Sequence, residues 1–117
     1  LWIGGGLYAP ETPQLQRIRE HIVSNLRSFR TLAESPAMRR FGGVTGSRLK
    51  RMPRGFPAGH EAADYLRLKQ YLAGEELDPA LALSPRFYST LVRRFTALAP
   101  LITFLNTPLI KAARFTL

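Results

Sequence analysis

The run Lys50-Arg51-Met52-Pro53-Arg54-Gly55-Phe56 sets three cations within five residues, where an expected strand ends and a proline-fixed loop begins. Arginine grips phosphate or carboxylate with a two-pronged fork. Arg51 or Arg54 can therefore give such an anion a bidentate contact, with Lys50 adding charge and the Gly55 N–H completing the cradle. His60 stands just ahead of an expected helix. Imidazole as a side-chain type suits acid–base work, or here capping of the first helical N–H groups. Lys50, Arg51, Arg54, Gly55 and His60 form the candidate ligand-binding site for an anion, and Gly4, Gly5 and Gly6 form a glycine-rich strand expected beside it. A structural role competes. Arg51 can pair with Glu61 or Asp64 and staple the loop to the next helix, while His60 only caps that helix.

Other chemistry finds less support. Gly4-Gly5-Gly6 precedes a helix beginning at Pro13, as glycine does in phosphate loops. The chain has no Gly-Lys-Ser/Thr and no G-x-G-x-x-G, and six residues separate Gly6 from Pro13. Close packing of strand under helix is the better reading, with Tyr8 beside Pro10 as a wall of that packing. Cysteine is absent, which excludes disulfides, thiolate nucleophiles, zinc knuckles and iron–sulfur ligation, and fits a reducing, cytoplasmic compartment. His21 and His60 fall on separate elements without ligand spacing, so neither a metal nor a cofactor is expected. No Ser/His/Asp order and no working carboxylate pair can be assembled; catalytic residues are unknown, and whether the chain is an enzyme stays open. Glu75, Glu76 and Asp78 read as a solvated turn before Pro79.

Seventeen basic residues against eight acidic give a net charge of +9, unevenly placed. Between Ser35 and His60 lie Arg39, Arg40, Arg48, Lys50, Arg51 and Arg54 with no acid, and from Pro79 onward Arg86, Arg93, Arg94, Lys111 and Arg114 are equally unopposed. Such stretches attract polyanions. Nucleic acid is a possible but not favoured partner, because no recognised module and no alternation of aromatics with arginines is present. Glycines and prolines fold the first six cations into a compact loop, which suits a small anionic ligand better than a duplex.

The elements that must position these residues follow from periodicity. With 117 residues and 45% hydrophobic content, the chain suits one domain spanning residues 1–117, or the C-terminal part of a larger one. Its longest nearly apolar run, Ala97 to Leu105, is under half of the roughly 20 residues a bilayer-spanning helix needs, so no membrane is implied. Leu1 to Tyr8 reads as a strand. Thr12 caps a helix with Pro13 in its first turn; Leu15, Ile18, Ile22 and Leu26 share its inner face, and Arg17, Glu20 and Ser24 its outer one. A second helix runs from about Asn25 to Ala33, and Ser35-Pro36 starts a short helical turn. A strand over Arg48 to Met52 would turn Arg51 inward beside Leu49, where its charge needs a partner. Glu61 to Tyr71 reads as helix, and Gln70 to Glu76 as a strand. Ser84-Pro85 opens the last helix, which shows Phe87, Leu91, Phe95 and Leu98 on one side and is expected to kink or split at Pro100. Phe87, Phe95 and Phe104 look like core. The fold class is α+β, with helices on one face of a small antiparallel sheet.

Four stretches occur together in register: Gly4-Gly5-Gly6-Leu7-Tyr8-Ala9-Pro10, Leu49 to Phe56 with His60, Leu66 to Lys69, and Ala99-Pro100-Leu101 with Phe104-Leu105-Asn106. In these the chain resembles the C-terminal half of the mainly bacterial and fungal proteins grouped as domain of unknown function 2461, from Trp2 to about Leu109. That family has no established activity, substrate or cofactor. Its members carry an N-terminal portion with arginine- and aspartate-rich motifs around a tryptophan and a proline-tyrosine pair. The resemblance therefore implies a missing N-terminal half and a sheet incomplete without it. The family usually has proline after the histidine, where this chain has Glu61. Two functions are carried forward: a module binding a phosphate- or carboxylate-bearing ligand, and a structural or interaction half whose basic surface docks on an acidic N-terminal segment.

Overall fold

The structure is a computed structural model that describes residues 1–116, with side chains through Leu109; the Lys111 and Arg114 side chains lie outside the described residues. The elements run β1 (Trp2–Leu7), α1 (Thr12–Ser24), α2 (Leu26–Ala33), α3 (Pro36–Arg40), α4 (Ala63–Leu66), β2 (Tyr71–Glu76) and α5 (Phe87–Thr116), with a 3-10 turn over Pro79–Leu83 leading into α5. The class is α+β.

Local chemistry sets the helix ends. The cap of α1 is Glu11 rather than Thr12, because the Glu11 N–H donates to the Gln14 side chain at 2.8 Å and Thr12 is already helical. Asn25 breaks α1 from α2 and donates from its amide to the His21 carbonyl at 3.0 Å. Ser35 Oγ accepts from the Met38 N–H at 3.3 Å and starts α3.

β1 and β2 pair antiparallel, with Ile3 opposite Glu75, Gly5 opposite Ala73 and Leu7 opposite Tyr71. Alternation sends these six side chains or positions toward the helices and leaves Trp2, Gly4, Gly6, Leu72, Gly74 and Glu76 on the outer face. Helix α5 lies directly on β1. A Cβ at Gly5 would sit 2.7 Å from Ile102 Cδ1, so the absent side chain is what lets the helix approach. Beneath the sheet, Ile18, Ile22, Phe29, Leu66, Tyr71, Leu98, Leu101 and Leu105 form one buried cluster. On its other edge β2 meets Thr45, bonded both ways to Leu72, and just ahead of β2 Arg48 bridges to Leu68.

Several expectations are corrected. Residues 48–52 do not form a strand: only Arg48 bridges, and the chain then bends away. Without a strand there is no side-chain alternation to turn Arg51 inward, and Arg51 is exposed, as Lys50 is. The expected helix over residues 61–71 shrinks to Ala63–Leu66, because the chain leaves it at once to join β2. Tyr8 is 73% exposed and walls nothing. Phe95 is 52% exposed, outside the core that takes Leu98. Helix α5 runs unbroken through Pro100. Pro100 and Thr96 both lie on the exposed side, where the carbonyl that loses its helical partner meets water.

Candidate functional site

The bend after Arg48 builds a hollow of about 470 Å³ lined by Lys50, Arg51, Met52, Phe56, Ala58, Ala63 and Arg67. Its size falls within the usual range for small-molecule sites. Lys50 and Arg51 come from the bent loop, and Arg67 from the residue after α4. Arg67 Nε donates to the Leu49 carbonyl at 2.8 Å and its Nη2 to the Lys50 carbonyl at 3.4 Å, while the Leu49 N–H donates back to the Arg67 carbonyl at 2.7 Å. The loop is therefore stapled to the following segment, but by Arg67 and not by Arg51 on Glu61 or Asp64. Neither Lys50 nor Arg51 forms an ion pair among the described residues. Three cations and no carboxylate line the hollow, and Phe56 and Met52 give it an apolar wall.

The remaining candidates lie around it or apart from it. His60 Nδ1 accepts from the Ala62 N–H at 3.0 Å, which is a capping contact, and its ring stands edge-on to Phe56 at 6.5 Å. Through Phe56 it buttresses the hollow without lining it. Arg54 and Gly55 are exposed on the turn between Pro53 and Phe56 and point no group into the lining. Gly4, Gly5 and Gly6 belong to the sheet, and none of them lines the hollow.

A larger cleft of about 780 Å³ opens between α2, the Gly42-Gly43 turn and α4. Its charges balance: Arg30, Arg39 and Arg48 face Glu34, Glu61 and Asp64. Tyr65 donates from its hydroxyl to Glu34 at 3.0 Å, and its pKa is raised by burial and then by the Glu34 bond and charge. Arg30 donates to the Glu61 carbonyl at 2.7 Å and lies 4.0 Å from its carboxylate. Internal compensation of this kind leaves little net field for an external anion, whereas the smaller hollow is uniformly positive.

Two arginines that matter escaped sequence reasoning. Arg67 sat inside the Leu66–Lys69 motif, but nothing in its spacing pointed to Leu49 and Lys50, 18 and 17 residues earlier. Arg19, 5% exposed, is the inward arginine that Arg51 was expected to be. It lies next to Ile18 on the buried side of α1, and no hydrophobic periodicity can flag an arginine there. Among the described residues no cluster of three His, Asp or Glu could hold a metal ion, and no helix is long and apolar enough to cross a membrane.

The chain belongs to the family described as conserved hypothetical protein DUF2461, which it matches over residues 1–104. No curated protein and no solved structure matches it.

Proposed function

We propose that this DUF2461 domain binds a small phosphate- or carboxylate-bearing ligand in the hollow between the Lys50–Phe56 loop and Arg67. One observation carries the reading: three cations line one concavity with no acid among them, and two of these have no protein partner among the described residues. Arg67 spends Nε and Nη2 on the loop carbonyls and keeps Nη1 for a ligand, so the residue that fixes the loop also adds charge. Lys50 and Arg51 supply a point charge and a planar fork, and Phe56 with Met52 offers an apolar surface to the rest of the molecule. Arg54 and His60 act from outside, Arg54 through long-range attraction and His60 through Phe56.

The test is thermal unfolding of the 117-residue protein against inorganic phosphate, pyrophosphate and citrate. A ligand at 100 times its dissociation constant stabilises by about 2.7 kcal/mol, and a domain of this size gains about 4 °C or more per kcal/mol. A saturable rise with at least one of these anions is expected, abolished in Lys50→Ala/Arg51→Ala. Indifference to all three would overturn the proposal. Retention on DNA or RNA with a steep salt slope, and no saturable effect of small anions, would replace it with polyanion binding.

A further inference from the structure

The cleft of about 780 Å³ between α2, the Gly42-Gly43 turn and α4 sets three guanidiniums against three carboxylates, but a balanced total is not pairing. Among these six charges one contact falls within 4.0 Å, that of Arg30 with Glu61. Arg30 also donates to the Glu61 carbonyl, so its charge is spent there. Arg39, Arg48 and Asp64 have neither a side-chain hydrogen bond nor an ion pair among the described residues. Glu34 gives one oxygen to the Tyr65 hydroxyl and keeps the other.

The signs are sorted by wall. Residues 39–48 supply one side of the cleft, and the sequence holds no acid from Ser35 to His60, so this side shows Arg39 and Arg48 with nothing to offset them. The other side is acidic. Glu61 lies just ahead of α4 and Asp64 on it, and the Tyr65 hydroxyl joins them to Glu34 at the end of α2. The cation on that side, Arg30, is the one Glu61 engages. On the cationic side Gly42 and Gly43 carry no side chain, and a Cβ at either would meet nothing within 4 Å, which keeps the space between the two signs open.

Opposite charges held apart across one concavity, each without a partner, select for a ligand that carries both signs. A plain anion is drawn to the arginine side and repelled by the acidic one, and a plain cation meets the reverse. A molecule with a carboxylate at one end and an ammonium at the other satisfies both sides with charge-assisted hydrogen bonds. We infer that this cleft is a site for a small zwitterion, its carboxylate bound by Arg39 and Arg48 and its ammonium by Asp64 and the free oxygen of Glu34. The site is separate from the anion hollow and shares no lining residue with it: the α4 segment turns Ala63 and Arg67 to the hollow, and Asp64 and Tyr65 to the cleft.

Calorimetric titration of the 117-residue protein carrying Lys50→Ala/Arg51→Ala keeps the hollow out of the measurement, so the cleft stands or fails whatever the hollow does. The probes are glycine and 4-aminobutyrate, with butyrate and butylamine as controls that carry one sign each. Saturable one-to-one binding of at least one zwitterion is expected, at least tenfold tighter than either control. Adding Asp64→Asn should weaken the zwitterion at least tenfold and move the preference toward butyrate; adding Arg48→Gln should weaken it likewise and move the preference toward butylamine. Both side chains are exposed, so the melting temperature without ligand should stay that of the parent, and a merely structural role would not shift preference by sign. No binding of either zwitterion, a control bound as tightly, or the parent's preference retained in both variants would overturn the inference.

Discussion

Arg19 Nε donates to the Leu66 carbonyl at 2.8 Å, and its Nη2 to the Leu68 carbonyl at 3.1 Å. A guanidinium that is 5% exposed is thus neutralised by backbone dipoles, with no carboxylate paired to it among the described residues. The two carbonyls flank Arg67, whose own side chain turns the other way to hold the Leu49 and Lys50 carbonyls. One buried cation of α1 therefore fixes the backbone from which a second cation shapes the hollow between the Lys50–Phe56 loop and α4.

Replacing Arg19 with methionine keeps the volume but strands two buried carbonyls. Bonds from a charged donor are worth about 1.5–3 kcal/mol each, and removal of the buried charge offsets part of that loss. We expect Arg19→Met to destabilise by about 2–3 kcal/mol in urea unfolding. It should also blunt the thermal response to phosphate, because Arg67 loses its anchor. A variant as stable as the wild type would mean that Arg19 is not structural.

Tyr71 is fully buried and donates to the Tyr65 carbonyl at 2.7 Å. Burial pushes its pKa up to about 12, against the opposing pull of Arg19. Unfolded tyrosine titrates near 10. Between these values the unfolded chain has lost its proton and the folded chain keeps it, so stability falls as pH rises from about 10 to about 12. It is fully present below 10. The slope from this group approaches 1.4 kcal/mol per pH unit. Urea unfolding across that window should show the decline, and Tyr71→Phe should flatten it while lowering stability at neutral pH.

How much of this was legible depended on how far apart the interacting residues lie. β1, α1, α2, the Ser35 cap and β2 follow from nearest-neighbour chemistry and periodicity, and each was recognisable. The segment from Arg48 to Met52 was not, because its shape is set by Arg67 pulling on two carbonyls, a contact that leaves no period in the sequence. A strand would have turned Arg51 to the side opposite Lys50, whereas both side chains line the same hollow. Phe95 misled for a different reason: its spacing from Leu91 and Leu98 is that of a core residue, yet nothing among the described residues covers it. The cations of the hollow were visible as a cluster, but the balanced Arg30, Arg39 and Arg48 cleft shows that clustering alone does not make a field.

The loop cations separate site from surroundings. Lys50→Ala and Arg51→Ala remove exposed side chains without partners, so each should leave the melting temperature within the effect of about 0.5 kcal/mol typical of surface changes. Each should also weaken phosphate affinity by about tenfold, the equivalent of about 1.4 kcal/mol. Arg54→Ala, outside the lining, should change affinity less than either and should act through ionic strength alone. Isothermal titration at low and moderate salt distinguishes these outcomes, and an Arg54 effect larger than that of Arg51 would move the site to the turn.

Gly5 and Gly6 of β1 differ in what opposes a side chain, and this gives a paired test of the fold. At Gly6 the φ of +126° disfavours any side chain, and a Cβ would collide with the Tyr71 carbonyl oxygen, which the ladder holds in place. At Gly5 the obstacle is Ile102 Cδ1, the far end of a flexible side chain. Gly6→Ala should therefore cost about 3 kcal/mol, at the top of the range for strained backbone positions. Gly5→Ala should cost about 1 kcal/mol, at the lower end for an overpacked core. The second loss should be recoverable: Ile102→Val deletes the clashing methyl, so the double variant Gly5→Ala/Ile102→Val should be more stable than the sum of the single changes predicts. No truncation of Ile102 should rescue Gly6→Ala. A double-mutant cycle by urea unfolding reads both couplings, and rescue at Gly6 or additivity at Gly5 would mean that α5 does not lie on β1 as described.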